Sequence, residues 1–214
     1  MANQNGTMYG LTILSPIIDD DKAVPSHDLQ IRAYLASLPT DRQSPFAQAP
    51  GTHLARLVVM DDVIYVGMPS CEEHLKSKYL VFESNIDATG ESGLDRYLTG
   101  LAQHSGTHID AIWSHCVGYP GASEIPAFLR YMKACQLTTT FYFAAVNNKN
   151  LQQTQRALQT QRAVADFIAS HQGLAAAQTQ AAFNQFLQQL DAMPLPPAGE
   201  PHVVRAIKTG GKNE

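Results

Sequence analysis

Four short apolar runs rich in β-branched and aromatic residues fall within the first 146 residues. Their order, with helical patterns between them, constrains the fold more than any other feature. The first run, Met8–Ile18, reads as a strand that Pro16 interrupts. Ser26 then reads as an N-cap for a loosely helical stretch through Leu29, Ile31, Tyr34, Leu35 and Leu38, which Pro39 stops. Residues 40–51 carry prolines and a glycine and read as a loop. His53–Val66 is the second run, with Asp61-Asp62 marking a hairpin turn or a bulge. After a loop and a short helix around Pro69–Lys76, Tyr79–Ile86 is the third.

Leu94, Leu98 and Leu101 predict a helix over 90–103 that Ser105-Gly106 weakens. Thr107 with Asp110 reads as a capping box for a new turn through Ile109, Ile112 and Trp113. The turn GYPG at 118–121 precedes a short helix with Phe128, Leu129 and Met132. Leu137–Val146 (LTTTFYFAAV) is the fourth predicted strand. Residues 151–190 hold eleven glutamines and many alanines, and Phe183, Phe186, Leu187 and Leu190 form one helical stripe. One domain is expected over 1–192, followed by a proline-rich connector and tail over 193–214, with HVVRAIK as a late edge strand.

Composition narrows the function classes. Fifteen Lys+Arg against nineteen Asp+Glu give a net charge of -4, so no nucleic-acid partner is expected. No apolar stretch reaches the roughly 18 residues of a membrane span, so no membrane partner is expected either. Three cysteines without a CxxC pair and an opening MANQNGTMYG without signal character predict a cytoplasmic protein with free thiols. Phosphate-loop, GxGxxG, HExxH and GxSxG motifs are missing from the sequence.

Taken in order the elements read β-α-β-β-α-β, with an insertion before the fourth strand and extra C-terminal helices. That is an α+β chain, and the order resembles the ferredoxin-like fold over about residues 8–146. The resemblance implies a dimeric α/β barrel, hence a homodimer. It also implies a small-molecule oxidoreductase of peroxidase or monooxygenase type, with haem as a cofactor that such proteins can carry. A non-catalytic ligand-binding or assembly module is the competing reading.

Two groups of residues carry candidate chemistry. His104, His108 and His115 would lie within roughly 40° on one unbroken helix, and His115 is the candidate metal or haem ligand or base. Trp113 and Tyr119 are the candidate pocket wall beside it, with His108 as a further binding candidate; Trp113 suits a core anchor equally well. The second group is Glu83, Asn85 and Asp87 at the end of the third strand, with Arg56 in the second. Carboxylate and guanidinium at interior strand positions predict a buried Arg56–Glu83 cross-strand pair, structural or at a dimer contact. Arg56 and Asp87 are the candidate charge stabilisers, and Asp87 suits a cap as well. The position of Asp87 resembles that of the distal acid in peroxidases of the dye-decolorising type, although Ala88 follows it where that family's motif has glycine.

Overall fold

A computed structural model describes residues 2–63, 67 and 74–200. In chain order the elements are Gln4–Asn5 (β1), Met8–Pro16 (β2), His27–Ser37 (α1), Pro45–Gln48 (α2), Thr52–Met60 (β3) and Tyr79–Asp87 (β4). Four helices follow: Gly90–Trp113 (α3), Ile125–Ala134 (α4), Leu151–Ser170 (α5) and Ala176–Ala192 (α6). The fold is α+β, with one antiparallel sheet in the order β1-β2-β4-β3. β2 and β4 are central and run in register from Met8↔Asp87 to Pro16↔Tyr79, so the first and third expected strands are neighbours.

One face of the sheet carries the core. Strand alternation aims Leu11 and Ile13 of β2 and Leu80, Phe82 and Ile86 of β4 at α3. There they meet Leu94, Leu98, Leu101, Ile109, Ile112 and Trp113, joined by Phe128 and Met132 of α4. Phe82 is the hub, stacked on Phe46 at 5.7 Å and met edge-on by Trp113 at 5.6 Å. No residue of α5 or α6 enters this core. Those two helices pack on each other through Phe167, Phe183 and Phe186. On the sheet's second face Leu54 and Val58 stay about half exposed.

One sequence expectation is corrected here. Leu137–Val146 does not form a fourth long strand; only Gln136 bridges, to Ile13. The reason is local, because β1 already occupies the outer edge of β2 at Met8 and Tyr9. Instead, Tyr142 lies over Gly10, where an added Cβ would come within 2.8 Å of its ring. As expected, the helix is interrupted at Ser105, whose backbone is non-helical (φ -131°, ψ 15°), and helical turns resume beyond it to Trp113. There the Ser105 hydroxyl donates to the Pro45 carbonyl at 2.6 Å, a side-chain contact that can bend a helix without ending it. β3 ends at Met60, just before Asp61-Asp62, and most of the second half of the expected run falls on residues 64–66. Those residues, most of the helix around Pro69–Lys76, Cys71 and the tail from residue 201 lie outside the described residues.

Candidate functional site

The sheet face opposite the core gathers four of the residues singled out in the sequence. Alternation along β4 puts Glu83, Asn85 and Asp87 on this face, and β3 contributes Leu54, Arg56 and Val58. Arg56 and Glu83 are register partners and form an ion pair. The pair is not buried as expected, since 65% of the Arg56 side chain and 35% of the Glu83 side chain remain exposed. An exposed pair of this kind contributes about 0–1 kcal/mol. Its value is as a charged feature on an open face.

A second pair closes the row. A register shift between Thr52 and Leu54 frees His53 from the ladder, and its Nε2 lies 2.7 Å from Asp87 Oδ1. Only 18% and 23% of these two side chains are exposed. The backbone here is made for the contact: Gly51 has φ +84°, and a Cβ on it would sit 3.1 Å from the Asp87 Cβ. The Gly51 carbonyl accepts the Asp87 N–H at 2.8 Å, and Asp87 Oδ2 accepts the Leu151 N–H at 2.8 Å, where α5 begins. Asp87 therefore does not cap the helix that follows it in sequence, whose N-cap is Thr89; its side chain serves the start of α5 instead. A carboxylate only accepts, so His53 donates from Nε2. Nδ1, the nitrogen left to act as a base, has no hydrogen bond among the described residues.

Two clefts adjoin these pairs. One of about 540 Å³ is lined by Thr12, Leu54, Arg56, Glu83, Asn85 and Tyr142, with the Tyr142 hydroxyl donating to Asn85 Oδ1 at 3.2 Å. The other, about 360 Å³, lies at the outer edge of β3 and sets His53 and Ser44 among Leu35, Phe46, Leu54 and Leu57. Leu54 belongs to both. Clefts of this size and lining suit a small organic molecule.

The other candidates lie elsewhere and do not come together. Trp113 is fully buried in the core, with its Nε1–H on Ser15 Oγ at 3.2 Å. The Tyr119 hydroxyl donates to Asp110 Oδ1 at 2.7 Å, and burial together with that carboxylate pushes the phenol far above its ordinary value. His108 meets the Tyr34 hydroxyl at 2.7 Å, while His104 donates to the Gly100 carbonyl of its own helix at 2.8 Å. His115 lies beyond the end of α3, so the three histidines share no helix face. Among the described residues no three His, Cys, Asp or Glu side chains are placed to hold a metal ion. Among the described residues His115 contacts His27 rather than Trp113 or Tyr119. Burial, with Cys135 nearby, pushes the Cys116 thiol up to about 12, which leaves it an inert core residue.

His115 has a different partner. Its Nδ1 lies 2.9 Å from Nδ1 of His27, the first residue of α1, and one proton fits between the two. Burial, with the His27 ring beside it, holds the His115 imidazole below its ordinary value. The unfolded chain takes up that proton near pH ~6.5 and the folded chain only at lower pH. Stability from this contact is therefore full above about pH 6.5 and declines as the pH falls below it. Thermal unfolding followed from about pH 7.5 down to about pH 5.5 should show a loss of stability that His115→Gln reduces. An equal loss in the variant would assign the pH dependence to other groups.

The sequence reading missed His53. Nothing marks it among the eight histidines, because the register shift that turns it toward Asp87 depends on β3–β4 pairing. The one available signal was Gly51, two residues before it. Compared with known proteins, the chain matches no family model, no curated protein and no solved structure.

Proposed function

We propose that this chain is an enzyme acting on a small, largely apolar organic molecule, with His53 as general base and Asp87 as its positioning residue. The observation that carries the reading is the 2.7 Å His53–Asp87 contact at the wall of an apolar cleft of about 360 Å³. A carboxylate on one imidazole nitrogen fixes the ring and stabilises the imidazolium formed when the other takes a proton. The exposed guanidinium of Arg56, in the adjoining cleft, suits a carboxylate or developing oxyanion on the same molecule. A weakly acidic substrate, such as a phenol or an enol, fits this pairing of base and cation.

This reading keeps the expected small-molecule chemistry and moves its centre from His115 to His53. The step this pair supports is transfer of a substrate proton to His53 Nδ1, with the electron pair left on the substrate as an anion that the Arg56 guanidinium stabilises. The order β2-α1-β3-β4-α3 supports a ferredoxin-like ancestry, since Gln136 sits on the side of β2 where that order puts its last strand. The test is thermal unfolding in the presence of a panel of small phenols, enols and aromatic carboxylates. At least one compound should raise the melting temperature of the wild type and leave His53→Gln unmoved. A panel without any such compound, or a shift that survives in the variant, removes His53 from the site.

A further inference from the structure

The segment Leu137–Val146 has the composition of a strand and no strand to pair with. Leu137 still donates to the Thr12 carbonyl, and the Thr139 N–H is taken by Asn3 Oδ1. From Thr140 to Val146 no backbone N–H has a partner among the described residues. Side chains there nevertheless alternate as in a strand. Tyr142 and Ala144 turn toward the protein, with Tyr142 anchored over Gly10 and on Asn85. Phe141 and Phe143 turn away and are 82% and 70% exposed, the two most exposed aromatic side chains of the apolar residues. Free backbone donors beside two exposed phenylalanines are the features of an edge that another strand covers.

We propose that Leu137–Val146 is a self-association surface, covered by the same segment of a second copy across a two-fold axis. Unpaired backbone groups call for a strand as the occupant, because a helix or a flat side-chain surface cannot satisfy them in series. The sequence TTTFYFAAV is suited to pair with itself. Centred on Tyr142, an antiparallel pairing sets Phe141 opposite the partner's Phe143, and Phe143 opposite the partner's Phe141. Thr140 then faces the partner's Ala144, so small residues meet small ones on both sides of the aromatic pair. Leu137–Val146 contains no charged residue, so a two-fold axis through it brings no like charges together. An isologous contact of this kind closes on itself as a dimer. This inference does not rest on His53 as a base, although Tyr142 also lines the cleft that holds Arg56.

Sedimentation or light scattering on the full chain at about 100 µM, far above the Kd of an ordinary specific contact, tests it. The expected species has twice the 23.3 kDa mass of the chain. Phe141→Ser with Phe143→Ser should return it to a monomer with an unchanged circular dichroism spectrum. A second variant, Thr140→Cys with Ala144→Cys, tests the register. Opposed antiparallel residues lie about 4.5–5.5 Å apart at Cα, within reach of a disulfide. Mild oxidation should therefore give a covalent dimer on non-reducing gels, which neither the wild type nor Thr140→Cys alone forms. A monomeric wild type, a dimer that survives the double serine substitution, or failure of the paired cysteines to cross-link each overturns the proposal.

Discussion

Trp113→Ala is expected to cost about 3–5 kcal/mol of stability, the range for removing a fully buried aromatic side chain. For a chain of this length that corresponds to a fall in melting temperature of roughly 6–20 °C. The indole is completely enclosed at the last turn of α3, edge-on to Phe82, which itself stacks on Phe46. Removing it opens a cavity at the centre of that aromatic series and takes the Nε1–H donor away from the buried Ser15 hydroxyl. Trp113→Phe keeps most of the volume and loses the hydrogen bond, so it should cost about 1–2 kcal/mol. Thermal unfolding by circular dichroism measures both. Near wild-type stability in the alanine variant would mean that Trp113 lines a ligand cavity rather than the core.

That contrast shows where the sequence was legible. Strand alternation in Tyr79–Ile86 and the leucine spacing of 94, 98 and 101 are set by local periodicity, and both elements form as read. Glu83, Asn85, Asp87 and Arg56 were singled out because polar groups inside apolar strands need an explanation, and all four lie on one face. How far the Arg56–Glu83 pair is buried was not legible. It depends on what covers the open face, and α5 and α6 pack on each other instead. His115 was chosen for its company in the sequence, but Trp113 turns into the core while Tyr119 turns to Asp110. Neighbours along a chain that leaves a helix point in different directions, so closeness in sequence did not make a pocket. The strand expected at 137–146 has the right propensity and found its edge of β2 occupied, a tertiary outcome that propensity does not encode.

Asp87 gives the second large effect, because one carboxylate holds three parts of the molecule together. Oδ1 accepts from His53 on the shifted end of β3, Oδ2 accepts from the backbone where α5 begins, and its own N–H is tied to Gly51. Hydrogen bonds to a charged group contribute about 1.5–3 kcal/mol each, so losing both side-chain contacts in Asp87→Ala should cost about 2–4 kcal/mol after relaxation. Asp87→Asn retains an acceptor for one contact and should cost roughly half as much. His53→Gln leaves the Leu151 contact intact and should cost less than Asp87→Ala. The binding of a ligand found in the thermal screen separates latch from site. If Asp87 positions the base, Asp87→Asn should weaken that binding as much as His53→Gln does, despite its smaller effect in urea unfolding. If binding instead follows stability, with alanine impaired and asparagine nearly normal, Asp87 serves only to fasten α5 to the sheet and His53 acts without it.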